Sequence, residues 1–139
     1  MMRSIGAVLA GAVLWTVLWL GSTSALVAAM PDRLVPTEPL TETPLLLLYI
    51  GMSVVFSVAA GWLTAAVARS RPIGHAFALG VLQLALGIGF EASAWDLTPV
   101  WYHLVFLVLL LPGNVAGGWL RAQRESAPAA VRAASTAAS

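Results

Sequence analysis

Residues 72–121 decide the fold of this chain and read PIGHAFALGVLQLALGIGFEASAWDLTPVWYHLVFLVLLLPGNVAGGWLR. Two apolar runs flank a short polar connection, and each run has about the 20 residues that an α-helix needs to cross a bilayer. A connection as short as residues 93–98 predicts that the two helices are antiparallel neighbours. Nearly every polar residue that lies inside an apolar run of the chain falls in this stretch, so a functional site would be expected here.

The composition is typical of a membrane protein. Of the 139 residues, 60% are hydrophobic and 9% are charged, whereas about a quarter of the residues of a soluble protein are charged. No stretch shows the alternation of a membrane-spanning strand. The sequence therefore predicts an all-α, polytopic membrane protein with four transmembrane helices in an antiparallel bundle. The chain has no cysteine, which excludes disulfides, thiolate metal ligands and a cysteine nucleophile within it.

The predicted spans are residues 4–30, 44–68, 72–92 and 99–120, which form one domain over residues 1–121. The first span begins like a signal peptide, but its apolar run is longer than a signal core, which favours an uncleaved anchor over a removed signal. Residues 31–44 contain four prolines and form an exposed linker. Thr43 is predicted to cap the second helix, with Pro44 at its first position. Residues 122–139 are predicted to be a disordered cytoplasmic tail.

The arginines predict the orientation. With the N-terminus inside, six of the seven basic residues lie on the cytoplasmic side and Arg33 alone lies outside. The six are Arg3, Arg69, Arg71, Arg121, Arg124 and Arg132. Cytoplasmic segments of membrane proteins carry the excess of Lys and Arg. We therefore expect a multi-pass protein of the cell inner membrane with both termini in the cytoplasm.

Small residues follow one face of several predicted helices, where they allow close helix packing. The second helix has Ser53, Ser57, Gly61 and Ala65 at every fourth position. The predicted packing glycines are Gly61, Gly80, Gly87, Gly113 and Gly117. The pattern predicts a tight bundle and leaves open whether these faces pack inside one chain or between two copies. Trp15 and Trp19, four residues apart in the first helix, are expected to pack against another helix.

Four polar residues inside the apolar runs are the candidate binding residues. Gln83 and Glu91 share one face of the third helix, and His103 and Asn114 share one face of the fourth. In an antiparallel hairpin, Glu91 and His103 lie at similar depth near the outer surface, and Gln83 and Asn114 lie within about one turn of each other deeper in the membrane.

Each pair has a functional and a structural interpretation. Glu91 and His103, joined by Asp96, could form a proton-coupling or metal site. The favoured alternative is an interfacial helix end with a solvated acid and a histidine bonded to the backbone. Because zinc usually takes three or four protein ligands, no metal is predicted. Gln83 and Asn114 could line a path or bind the two helices together, and the latter is again favoured.

The fourth helix opens with Pro-Val-Trp-Tyr-His-Leu at residues 99–104 and continues with Leu-Pro-Gly-Asn-Val-Ala-Gly-Gly at residues 111–118. Together with the small-residue run of residues 60–69, these segments resemble a loose group of small, uncharacterised bacterial four-helix membrane proteins. The resemblance covers residues 44–121 and implies the fold but no activity. Size and span count are similar to those of small multidrug-resistance transporters, but the carboxylate that those proteins need in the first helix is missing here.

No motif of an enzyme is present, and the loops are too short to hold catalytic machinery. The leading hypothesis is a non-enzymatic accessory or interaction subunit that acts through helix–helix contacts. Its partners would be the lipid bilayer and a second copy or another membrane protein, without nucleic acid and without a cofactor. The alternative is a small oligomeric transporter or channel with a polar path between helices three and four. A third hypothesis is a quinone or haem site near Trp15, Trp19 and His103.

Overall fold

The computed structural model describes residues 2–137, with side chains from residue 2 to residue 126. All regular elements in this part of the chain are helical: α1 (Met2–Ala29), α2 (Thr43–Ala68), α3 (Pro72–Ser93), a 3₁₀ helix (Trp95–Leu97) and α4 (Val100–Ala137). Four helical stretches are long and apolar enough to cross a membrane: Met2–Ala29, Thr43–Ala68, Pro72–Ser93 and Val100–Ser126. The predicted all-α class and the four apolar helices are thus confirmed.

The end of α4 differs from the expectation. The helix continues to Ala137, so residues 122–137 are helical where the sequence predicts a disordered tail. Alanine, which dominates this segment, has the highest intrinsic helix propensity. The apolar part of α4 already supplies the first helical turns, so this segment extends an existing helix and does not have to nucleate a new one. The last two residues of the predicted tail, 138 and 139, lie outside the described residues.

The most extensive helix contact joins α2 and α4, and glycines make it close. A Cβ atom added at Gly61 would lie 2.7 Å from the carbonyl carbon of Asn114. One added at Gly117 would lie 2.7 Å from the backbone nitrogen of Trp62. Because such distances are too short for any side chain, only glycine permits this approach of the two backbones.

The remaining predicted packing residues also lie between helices of the same chain. Gly113 faces Ser57, while on α3 Gly80 faces Leu111 and Gly87 faces Leu107 and Leu110. All four members of the small-residue face of α2 are buried: Ser53, Ser57, Gly61 and Ala65. The sequence left internal packing and a dimer interface equally open. The structure uses these residues for internal packing.

α1 is the peripheral helix. Only Ala7 and Gly11 are buried along its length. In its most apolar 18-residue segment 11% is buried, against 39% in the corresponding segments of α2 and α4. Gly11 lies against Thr64 and Leu79 at the crossing point. This single close crossing leaves most of the surface of α1 outside the protein core.

An aromatic cluster provides the second attachment of α1. Trp15 and Trp19 stack with ring centroids 5.2 Å apart, and Trp19 lies 5.3 Å from Phe106 of α4. The indole nitrogen of Trp15 donates a hydrogen bond to Ser57 Oγ at 3.1 Å. The prediction that both tryptophans pack against another helix is confirmed.

The α1–α2 linker and the α3–α4 connection meet at one end of the molecule, which we call the linker end (residues 30–42 and 94–99). Leu40 donates a backbone hydrogen bond to Leu97 at 2.8 Å. α2 begins at Thr43 with Glu42 at the N-cap position, one residue earlier than predicted, because proline is tolerated within the first turn. The Glu42 side chain pairs with Arg33 instead of capping the helix, and the hydrogen bond from Arg33 lowers the pKa of this carboxyl group.

At the opposite end, residues 69–71 connect α2 to α3 in a tight turn. Arg69 and Arg71 both adopt the left-handed backbone conformation, with φ of 58° and 46°. This conformation is unfavourable for residues other than glycine. Arg69 offsets part of the cost, because its N–H donates to the carbonyl of Ala65 and so caps α2.

We expect Gly61→Ala to lower the free energy of unfolding by about 1–3 kcal/mol, the usual effect of overpacking, because the new methyl group would overlap the backbone of Asn114. Gly51→Ala is the matched control in the same helix, since a Cβ atom there has no neighbour within 4 Å. Thermal unfolding of both variants in detergent checks the prediction. Equal stability of the two variants would contradict the packing described here.

Candidate functional site

The structure brings the four predicted site residues together as two pairs across the α3–α4 contact. Glu91 contacts His103 near the linker end, and Gln83 contacts Asn114 near the middle of the helices. All four side chains are buried, with His103 and Asn114 fully inaccessible to solvent. The solvated acid favoured from the sequence is therefore wrong, because the structure encloses this pair. The expected contact of the histidine with the backbone is present.

His103 has protein partners at both ring nitrogens. Nδ1 meets the carboxyl group of Glu91 in a short contact. Nε2 lies 3.1 Å from the carbonyl oxygen of Trp95, 3.1 Å from that of Thr98 and 3.0 Å from Thr98 Oγ1. The indole of Trp95 covers the ring, with centroids 4.6 Å apart and planes 8° from parallel.

These contacts restrict where the protons of the pair can lie. Carbonyl oxygens only accept hydrogen bonds, so Nε2 of His103 must carry a hydrogen. One further proton is then shared between Nδ1 and Glu91. Either the imidazolium donates to the carboxylate, or the neutral carboxyl group donates to Nδ1. Both states have a net charge of zero, which avoids leaving an unpaired charge in a buried site.

The Glu91–His103 pair holds the α3–α4 connection. Nε2 of His103 lies within hydrogen-bonding distance of two carbonyl groups of that connection, those of Trp95 and Thr98. Asp96, expected as a third member, is exposed and stays out of the cluster. Trp95 and Thr98 were not among the predicted site residues, and no local pattern in the sequence indicates that they surround a histidine.

The second pair joins α3 to α4 through one strong hydrogen bond. Asn114 Nδ2 donates to Gln83 Oε1 at 2.6 Å and to the backbone carbonyl of Leu110 at 2.8 Å. The two amides are in direct contact, so protein atoms fill the space between them. Gln83 Nε2 and Asn114 Oδ1 are buried without a hydrogen-bond partner.

Three cavities lie beside α1, where it stands apart from α3. One of about 580 Å³ is lined by His75 and Arg71. A second of about 290 Å³ lies in the middle and includes Gln83, Trp15 and Trp19 in its wall. A third of about 290 Å³ lies at the linker end and includes Glu91. The cavities that include Gln83 and Glu91 in their walls thus lie next to α1.

The donor set does not resemble a metal centre. Among the residues that the structure describes, no group of three or more His, Cys, Asp or Glu side chains could hold a metal ion. Both nitrogens of His103 are engaged by protein groups. The second histidine, His75, is bonded to the carbonyl of Arg71 at 3.1 Å and lies near the opposite end of α3.

Comparison of this chain with protein-family models, with curated proteins and with solved structures finds no match. Its function must therefore be argued from its own residues.

The Glu91–His103 geometry predicts a difference between two substitutions of the same residue. Glu91→Leu should cost about 3 kcal/mol or more, as expected when one partner of a buried pair is removed. Glu91→Gln should cost less than about 1.5 kcal/mol, because its amide N–H can donate to Nδ1 of a neutral His103. Chemical unfolding in mixed detergent micelles measures both values.

Asp96→Asn is the control, since Asp96 is an exposed acid in the same region, and its stability should match that of the unmodified chain. If Glu91→Leu were as stable as Asp96→Asn, the pair would not hold the α3–α4 connection.

Proposed function

We propose that this chain is a non-enzymatic, multi-pass subunit of the bacterial inner membrane that acts through helix–helix contacts, with α1 as the helix that meets its partner. The partner is another membrane protein or a second copy of the chain. The observation that supports this proposal most directly is the peripheral position of α1, which is attached at one glycine crossing and one aromatic cluster.

The exposed side of α1 forms a continuous apolar stripe. Its residues recur at steps of three and four, as one helix face requires, and each is at least half exposed. They are Met2, Ile5, Leu9, Val13, Val17 and Leu20. Gly6 and Gly21 on α1 have open space where a side chain would be, so another helix can approach closely there.

The polar groups of the bundle support an interaction role over a transport role. A path between α3 and α4 would need Gln83 and Asn114 to stand apart around water, but the two amides bond to each other directly. Likewise, His103 uses both nitrogens within the protein. These side chains bind helices to one another, and none of them is offered to a solute between α3 and α4.

Orientation is part of the proposal. The turn of residues 69–71 carries two arginines, and the linker end carries most of the acids, so the excess of positive charge favours a cytoplasmic position for that turn. With four spans, both termini then lie in the cytoplasm and residues 30–42 face the outer side.

Cysteine labelling tests the orientation without background, because the chain has no cysteine. Thr37→Cys, at an exposed linker position, should react with a membrane-impermeant maleimide in intact cells. Ser70→Cys, exposed in the turn between α2 and α3, should react only after the membrane is permeabilised. The reverse pattern would refute the proposed topology, and labelling of both positions in intact cells would refute membrane insertion in this form.

Photo-crosslinking tests the role of α1. A photoreactive p-benzoyl-phenylalanine at Val17 should yield discrete adducts in native membranes. The same residue at Val55 should yield none, because Val55 belongs to α2. The pair is well matched: the side chains are 62% and 63% exposed, and each lies 12 residues from the linker end of its helix.

An adduct of twice the chain mass would identify a second copy, and one of another mass would identify a different membrane protein. Equal adducts at both positions, or none at Val17, would argue against α1 as the interaction surface.

A further inference from the structure

The amide of Gln83 has a fixed orientation that leaves one hydrogen-bond donor unused. The carbonyl of Leu110 accepts a hydrogen bond from Asn114, so the nitrogen of the Asn114 amide must face it. The same nitrogen donates to Gln83, which must therefore present its oxygen. Turning either amide over would place two donors or two acceptors against each other. Gln83 Nε2 is consequently the free end of the pair.

Burying this nitrogen without a hydrogen-bond partner is energetically unfavourable. Gln83 is 6% exposed, and Nε2 has no hydrogen-bond partner among the described residues. An amide group that is buried in apolar surroundings without a partner loses the hydrogen bonds that it would make in water. Gln83 is residue 12 of the 22 residues of α3, so water from either surface is far away if α3 spans a bilayer.

The middle cavity beside α1 has the complementary features of a ligand site. Gln83 belongs to its wall, opposite the stacked indoles of Trp15 and Trp19. Its lining contains no ionisable side chain, and Thr16 is its only other polar residue. The indole nitrogen of Trp15 is already bonded to Ser57. The cavity thus has a flat aromatic surface and a largely apolar wall, and that wall includes Gln83, whose buried Nε2 has no hydrogen-bond partner among the described residues.

We infer that this cavity binds an uncharged, membrane-dissolved molecule that carries a carbonyl oxygen on a planar ring, as a quinone does, with that oxygen accepting a hydrogen bond from Gln83 Nε2. The inference rests on the membrane location proposed above. It does not depend on α1 having a protein partner, because Leu20 is the one residue of the exposed stripe that also lines the cavity.

Size, charge and depth select this class of ligand. A cavity of about 150 Å³ can hold benzene, so about 290 Å³ has room for a substituted ring whose tail continues between α1 and α3. A charged ligand would find no counter-ion in this wall. The ester carbonyls of a glycerolipid lie near the headgroups, whereas Gln83 lies at the middle of α3.

The test uses the full chain in lipid nanodiscs and two probes, a decyl-substituted benzoquinone and decylbenzene as its carbonyl-free analogue. Quenching of tryptophan fluorescence by the benzoquinone measures its binding, and competition measures that of decylbenzene. We expect saturable binding of the benzoquinone about tenfold tighter than that of decylbenzene, the effect of roughly one buried hydrogen bond.

Two variants and a control separate the contributions. Gln83→Leu should remove the preference for the benzoquinone, while Gln123→Leu, the same change at an exposed position of α4, should retain it. Ala12→Phe, which fills the cavity from α1 without touching the amide pair, should abolish saturable binding of both probes. Thermal unfolding confirms that each variant is folded.

Equal affinity for the two probes would overturn the inference and indicate a cavity for a hydrocarbon chain. Absence of saturable binding, or binding unaffected by Ala12→Phe, would overturn it as well. The crosslinking from Val17 reports separately on the proposed function: adducts without quinone binding would leave the interaction role intact, and quinone binding without adducts would leave the ligand site intact.

Discussion

The close approach of α2 and α4 at Gly61 and Gly117 fixes how the other elements can be arranged. Because Gly61 lies against the backbone of Asn114, this contact sets both the rotation and the depth of α4. His103 and Asn114 are 11 residues apart, almost a whole number of helical turns, so a single rotation of α4 directs both side chains at α3. The two polar pairs are therefore consequences of one glycine contact, and their geometry depends on it.

Hydrogen bonding then limits what the interior can contain. Each buried polar atom requires a partner, since water is not at hand to supply one. Glu91 and His103 meet this requirement together and also satisfy the carbonyls of the α3–α4 connection. Gln83 and Asn114 meet this requirement only in part. The single hydrogen bond between their amides leaves Gln83 Nε2 and Asn114 Oδ1 without a partner. The first pair is a closed structural unit, whereas the second retains an unused donor beside a cavity.

Much of this fold is predictable from the sequence, because helix length and apolar character are local properties. The same holds for the pairing of Glu91 with His103, which follows from residue spacing and a short connection. The surroundings of His103 are not predictable in this way, since they depend on how the chain folds around Thr98 and Trp95 in a connection without periodicity. Whether glycine faces pack internally was also undecidable, because Gly113 and Gly117 would look the same in a dimer interface. At the end of α4 two local signals disagree: the lack of large apolar residues predicts disorder, whereas the helix propensity of alanine favours the helix that continues to Ala137.

The shape of α1 explains why its surface and its cavities occur together. Ala7 and Gly11 allow a close crossing with α2 and α3, but four residues beyond Gly11 the chain carries the first of two tryptophans that pack on Phe106 of α4. These large rings reach Phe106 on one side and on the other line the gap beside α3 at the level of Gln83. The two tryptophans that attach α1 to the bundle are thus also part of the cavity wall that contains Gln83.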